Sequence, residues 1–433
     1  MPLFKINFGR FAPIFKNASW LSIFELMRMA MPFIALPYLF GTVGAKNYGT
    51  VVFVQSIIAC FALLINFGFD VSEVREVAVF RNDKKQLAQI VSSIIIIKTL
   101  LACISFMLLT CVLAVVPKLG ALSTVFYFAF ITCISDILLP VWYFQGKEEM
   151  KKLTVVKFFS ITFYTVSIFV FIKKPEDYPY IALLQSCSMV LSATIACYFV
   201  FVKDKVRIQI PPPALLKEML KKASPFFLSR ASLTVNSYMA KIMSGFFLSE
   251  TIVAAFDVAQ KIISGGMMPV QMFNQALYPN MSKSQDKNML RRGFGIVAVY
   301  TLCVSVGVFL LSDFVVPFLS HGEAHEAVII LRILCLYLFF SGFSVFMGTS
   351  SLVAFGHQKP FNVSVVWSTV VLTACYLLMI ISDNNSIYLY AFALVAAECM
   401  VFGYRYYFCH KYGLLSFRKI TPLLKNSYGV KGK

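Results

Sequence analysis

Residues 88–116 read AQIVSSIIIIKTLLACISFMLLTCVLAVV, with Lys98 as the one charge among them. A helix needs about 20 apolar residues to cross the hydrocarbon core of a bilayer. This stretch is long enough, and it lacks the ten-residue alternation of a membrane barrel strand. Eleven similar runs surround it, so that the spans fall near 18–40, 48–69, 88–116, 121–145, 152–172, 178–202, 224–248, 250–278, 294–318, 327–355, 361–381 and 386–409. The whole chain agrees: 59% of its 433 residues are hydrophobic and 14% are charged. Soluble domains run nearer 45–50% and 25%. A soluble globular enzyme and a disordered chain are both excluded.

The net charge is +19, from 39 Lys and Arg against 20 Asp and Glu. A basic protein suggests nucleic acid, but so apolar a chain does not, and no nucleic-acid partner is expected. With the N-terminus inside, 28 of the 39 basic residues fall in alternate loops and the two termini, counting Arg405 with the tail. The opposite loops hold only Lys46, Lys118, Lys173 and Lys174. Positive charge in short loops marks the cytoplasmic side. Twelve spans with both termini cytoplasmic are therefore expected. The first apolar run is full length and no small-residue cleavage site follows it, so no signal peptide is expected. Pro2 to Ser19 reads as either a surface-lying amphipathic piece or a plain lead-in.

The eleven cysteines lie in or at the ends of apolar runs without a CxxC, and read as small packing residues. His321 and His325 stand four apart, but Gly322 intervenes and no third firm ligand follows. No metal and no cofactor are expected. A Gly-rich phosphate loop is also absent, so no P-loop nucleotide engine drives the chain.

Residues 203–222 form the longest polar connector and contain Pro211, Pro212 and Pro213. Proline runs are extended, so this reads as a linker between a six-helix lobe at 1–202 and another at 223–409, with a basic tail at 410–433. An internal repeat is then expected at an offset near 205. Gln55-Ser-Ile-Ile meets Gln260-Lys-Ile-Ile at that offset. An even number of spans per half gives parallel repeats related by an axis along the membrane normal, an architecture common in alternating-access transporters.

Ionisable groups inside spans are costly and usually face a cavity or one another. Asp257, Lys261, Ser264, Met268, Gln271 and Gln275 follow one another at steps of four and three, a continuous helix face. Arg230, Thr234, Ser237 and Lys241 do the same on the preceding span. Glu25 and Arg28 stand on span one, before Pro32 and Pro37. Lys98, Lys157 and Arg332 are close enough to span ends to snorkel. Arg28, Arg230, Lys241, Lys261 and Gln271 are the candidate lumen residues, because Arg and Lys suit a phosphate or another anion. Glu25, Asp136, Asp257 and Glu398 are candidates for ion coupling or charge balance. The alternative for the Asp257–Lys261 and Glu25–Arg28 pairs is mutual neutralisation in helix packing.

Five strings stand at or near span ends: Pro140-Val-Trp-Tyr-Phe-Gln-Gly-Lys-Glu-Glu-Met150, Asn66-Phe-Gly-Phe-Asp-Val-Ser-Glu-Val-Arg-Glu76, Tyr48-Gly49 with Gln55-Ser56, Asn274-Gln-Ala-Leu-Tyr-Pro-Asn280 and Phe355-Gly-His-Gln-Lys-Pro-Phe361. They resemble the Wzx-type O-antigen and polysaccharide flippases of the multidrug/oligosaccharidyl-lipid/polysaccharide exporter superfamily. Their order and spacing carry the match. The resemblance implies a MATE-like, all-α polytopic protein of about 12 transmembrane helices in a bacterial cytoplasmic (inner) membrane. It further implies a non-enzymatic carrier of an undecaprenyl-pyrophosphate-linked oligosaccharide between leaflets, driven by a gradient. A polysaccharide polymerase and a chain-length regulator are its implied partners. Trp142, Tyr143, Gln145, Gly146 and Arg75, in the matching strings, would shape gates and turns. A multidrug exporter of the same superfamily is the alternative, disfavoured by buried cations. A membrane polymerase or acyltransferase would need a large outer loop or clustered catalytic groups.

Overall fold

The computed structural model describes residues 8–415, with side chains described from Met31 onward. All regular structure among them is helical. Helix α1 (Phe8–Asn66) joins the first two predicted spans through a bend at Gly44, whose φ of 80° and ψ of 162° are not helical. Glycine takes that conformation without a Cβ penalty. Glu25 and Arg28 stand on α1, but their side chains lie outside the described residues, as does most of the tail.

A short helix α2 (Phe69–Val79) follows. Then α3 (Lys84–Val115) opens at Asp83, whose carboxylate accepts the backbone N–H groups of Lys85 and Gln86. That satisfies two of the orphan donors of a helix start. One turn, α4 (Pro117–Gly120), leads into α5 (Ser123–Leu138). The predicted fourth span breaks at Pro140, which has no N–H to give, and resumes as α6 (Val141–Gly146). Helices α7 (Met150–Phe171) and α8 (Tyr178–Cys197) complete the first half, and α8 ends in a π-helical turn at Tyr198–Lys203.

The linker differs from expectation. Helix α9 (Pro213–Phe247) starts at Pro213 and absorbs the second half of the connector. Proline is well suited to the first helical position, where its missing N–H costs nothing. Helices α10 (Glu250–Ser284), α11 (Lys287–Ser320), α12 (Glu326–Phe346), α13 (Gln358–Ile381) and α14 (Ile387–Lys411) follow, with a π-helical turn at Met347–Val353 after α12. Each predicted apolar run coincides with helix. Among the described residues, nine helical stretches are long and apolar enough to cross a membrane, counting the bent α1 with α2 as one. Helices α9 and α10 fall outside that set, and they are the two that carry the polar faces.

In the first half α5 and α7 pack on α8 and on α1; in the second, α12 packs against α10, α11 and α14. The halves meet where α1 lies against α9 and α10. The apolar core runs across this seam, from Phe40 and Phe53 of α1 to Ala254 and Phe256 of α10. Large apolar side chains such as Leu108, Leu310, Phe314 and Leu378 point outward, as lipid-facing surfaces require.

Candidate functional site

The seam encloses a cavity of about 780 Å³, lined by α1, α5, α7, α8, α9 and α10. Its charged lining is Lys157, Lys241, Asp257 and Lys261. Three cations against one anion make it a positively charged space in an apolar body. At its centre the Asp257 carboxylate accepts from Lys241 Nζ (2.8 Å), Lys261 Nζ (2.5 Å) and the Tyr48 hydroxyl (2.5 Å). Lys261 Nζ also donates to the Tyr48 oxygen at 2.7 Å. Tyr48 belongs to α1, Lys241 to α9 and the other two to α10, so the cluster ties the halves together. Two ammonium groups share one carboxylate, and one positive charge stays uncompensated within the cluster. Lys261 is the more accessible cation: its side chain is 31% exposed, against 11% for Lys241.

The polar face read along α10 divides. Asp257, Lys261 and Ser264 line the cavity, whereas Gln271 is exposed beyond it. Arg230 stands away from the cavity, bound to Asp70 of α2 at 2.5 Å, with both side chains more than a third exposed. Lys157 lines the cavity rather than only a span end. Lys98 does not snorkel. It is 2% exposed and donates to Asn66 Oδ1 (2.6 Å) and to the Asp136 backbone oxygen (3.2 Å). Asn66 in turn donates to the Asp136 carboxylate. Asp136 therefore sits in a separate cluster between α1, α3 and α5. Arg332 pairs with Asp313 near the surface.

Glu398 lines a second cavity of about 320 Å³, which shares Ser237, Gln260 and Ser264 with the first. Arg405 lines it too. Counting Arg405 with the basic tail is corrected here: it is 5% exposed, donates to Ser364 Oγ (2.9 Å) and the Ser344 oxygen (2.6 Å), and lies over the Phe361 ring. The missed signal was its place seven residues after Glu398, two turns on along one helix face.

The string at 140–150 forms a packed corner. Trp142 and Tyr143 are buried, Gln145 is half-buried, and Arg75 is exposed on α2. A Cβ on Gly146 would stand 2.6 Å from Val77 and 2.8 Å from the Val74 oxygen, so only glycine lets α6 approach α2. Asp204, just past the π-helical turn, accepts from Tyr143 (2.9 Å) and Lys147 (2.5 Å). Burial pushes its carboxyl up, but those hydrogen bonds and the charges of Lys147 and Lys152 outweigh it and hold it below the usual carboxylate range.

Both ends of the seam are tied. At one end Gly49 of α1 meets the start of α10 so closely that a Cβ there would lie 1.7 Å from the Glu250 oxygen. A Cβ on Gly245 would lie 2.1 Å from the Phe53 ring. Two ionic groups clasp this end. Glu323 accepts from the Ala45 N–H at 2.6 Å, where α1 restarts after its bend. Lys118 donates to the Gly245 oxygen in the last turn of α9 at 2.5 Å and stands 3.9 Å from Glu250. Each charge has the sign that its helix end favours. Lys118 corresponds to Glu323, and Ala45 to Glu250, at the same offset near 205. At the other end Phe67 stacks on Phe227, and the Arg230–Asp70 pair bridges α9 and α2. That pair leaves Arg230 Nε and Asp70 Oδ1 without a hydrogen-bond partner among the described residues.

Residues 14–285 match the family model described as "Polysaccharide biosynthesis protein". A protein of Escherichia coli (strain K12) named "Putative O-antigen transporter" is 24% identical over 400 residues, covering 89% of this chain and 94% of its own length. Among solved structures, an inward-facing multidrug resistance MATE family transporter of the MOP superfamily superposes with a TM-score of 0.70 at 15% identity, over 91% of this chain and 96% of that one. The lipid II flippase MurJ, in an inward closed conformation, superposes with a TM-score of 0.65 at 14% identity, over 92% and 87%. These likenesses establish the fold.

Proposed function

The chain belongs to the polysaccharide biosynthesis protein family, and from that premise we propose that it flips an undecaprenyl-pyrophosphate-linked oligosaccharide across the inner membrane by alternating access. It is a multi-pass membrane transporter, not an enzyme, and the Escherichia coli relative is named a putative O-antigen transporter. One observation carries the finer reading: the cavity at the seam is lined by three lysines and one aspartate. A pyrophosphate needs compensating cations to leave water for an apolar body. Lys261 and Lys241 supply them, and Asp257 keeps both positioned before the ligand arrives. The ligand then displaces or shares Asp257, so the site is stable both empty and loaded. A multidrug exporter of organic cations would meet repulsion from this lining.

Rocking of the halves about the seam would open one end at a time. The end with Gly49, Gly245, Lys118 and Glu323 closes through backbone-level packing. By the distribution of basic loops it faces outward. The opposite end is held in part by a half-exposed ion pair, and such pairs are worth only about 0–1 kcal/mol. Gly68 also meets the backbone nitrogen of Phe227 here, where a Cβ would stand 2.8 Å away. Both ends therefore close through backbone-level packing, and loading from the cytoplasmic leaflet requires this one to open. A gradient is the proposed driver, with Asp136 and Glu398 as half-buried carboxylates apart from the anion site.

The test is complementation of a flippase-deficient strain with Lys261→Ala and Lys241→Ala. Surface polysaccharide should be lost while the protein remains in the membrane at normal level. Normal polysaccharide from both variants would remove the cavity from the mechanism.

A further inference from the structure

We propose that Gln55 and Gln185 are the sugar-reading element of the cavity, a specificity-determining pair for the ligand end remote from the pyrophosphate. The inference rests on reading the cavity as a site for a lipid-linked oligosaccharide. Gln55 of α1 donates through Nε2 to Gln185 Oε1 of α8, and both side chains line the cavity. A primary amide carries two donor hydrogens and two acceptor lone pairs. The mutual bond uses one of each. Neither side chain has another hydrogen-bond partner among the described residues. Whichever way the two amides are turned, the pair still offers donors and acceptors to the cavity. A sugar hydroxyl both donates and accepts, and an acetamido group does the same through its N–H and C=O. A carboxylate or phosphate only accepts, so it would use the free N–H groups and leave the pair's acceptors without a donor.

The neighbouring hydroxyls on this wall are already engaged. Ser56 donates to the Val52 oxygen, Ser160 to the Ser188 oxygen and Ser188 to the Gln185 backbone oxygen. The two amides and the Tyr164 hydroxyl are therefore uncommitted polar groups of the wall among the described residues. Tyr164, also in the lining, adds an aromatic face of the kind that packs against a pyranose.

The internal repeat separates the two ligand ends. At the offset near 205, Gln55 corresponds to Gln260, Val52 to Asp257 and Ser56 to Lys261. The second copy carries the charges and the first copy carries neutral groups at the same helical positions. The seam thus presents Lys241, Asp257 and Lys261 on α9 and α10 opposite the amides on α1 and α8, with Lys157 of α7 as the one charge lining the first-half side. A ligand with an anionic group joined to a polyhydroxylated body matches that polarity.

The experiment uses the full chain in lipid nanodiscs and two probes: a polyprenyl pyrophosphate, and the same lipid pyrophosphate carrying a disaccharide that contains an N-acetylhexosamine. Wild type should bind the glycosylated probe more tightly than the bare one. Gln55→Met and Gln185→Met keep the side-chain volume and remove the amide; Gln55→Ala and Gln185→Ala serve beside them. Each should lose about tenfold in affinity for the glycosylated probe, the scale of one or two hydrogen bonds, with the bare probe unchanged. Equal weakening of both probes would make the pair a helix clamp and overturn the proposal. Unchanged binding of both probes would overturn it as well. Failure of wild type to bind even the bare pyrophosphate would instead refute the proposed function.

Discussion

Alanine at position 49 should hold the halves apart where α1 meets α10. The added Cβ would lie 1.7 Å from the Glu250 backbone oxygen and 2.6 Å from its carbonyl carbon. Ordinary contact begins near 3.4 Å, so the helices must separate by roughly 1.7 Å. A backbone carbonyl cannot swing aside as a flexible side chain does. Overpacking of this kind costs about 1–3 kcal/mol. At about 1.4 kcal/mol per tenfold, the closed state loses roughly 5- to 150-fold in population relative to states open at this end. Amide hydrogen exchange would read the change in the segments around 45–54 and 250–258. Both should exchange faster in Gly49→Ala, and polysaccharide output should fall because the outer end no longer seals. Gly295→Ala is the control, since a Cβ there meets nothing within 4 Å. Exchange and output equal to that control would refute the assignment of this contact as a gate.

Three further outcomes follow from the same geometry. Lys118→Glu and Glu323→Lys each place the wrong charge at a helix end, and each should speed exchange at the Gly49 end by several-fold, an effect of about 1 kcal/mol; no change in either would remove these residues from the closure. Arg405→Ala should lower thermal stability by about 1–3 kcal/mol, because it removes the hydrogen bonds of a buried charged group to the Ser344 oxygen and to Ser364; a melting curve equal to wild type would refute that. Asp204→Asn should destabilise the chain near neutral pH and not in acid. The folded carboxyl titrates below its unfolded value, so its contribution is present above the ordinary carboxylate range and is lost as pH falls through the lowered one. A melting difference between wild type and Asp204→Asn that stays constant down to pH 2 would sink that assignment.

Sequence by itself determined the class, the helical segments and the excess of cation in the membrane. Hydropathy over 20 residues and charge in short loops are local properties, so runs such as 88–116 could be read without knowing their neighbours. The i, i+4 pair of Asp257 and Lys261 was legible for the same reason, as was the glycine string at 140–150. What sequence could not decide was which buried charges share a site. Lys241 has no acid within reach on its own helix, where Glu218 stands 23 residues away, and its partner on α10 follows only from how two helices cross. Tyr48 reaches the same carboxylate from the other half of the chain. Arg230 looked equivalent to Lys261 along the sequence, and Asp136 to Asp257, yet helix rotation sends Arg230 to an exposed tie and Asp136 to a separate cluster. Arg405 looked like the head of a basic tail until α14 carried it inward to face Glu398 in the second cavity. Tertiary structure decided these because a side chain's partner depends on the packing angle and rotation of whole helices, and no local pattern encodes either.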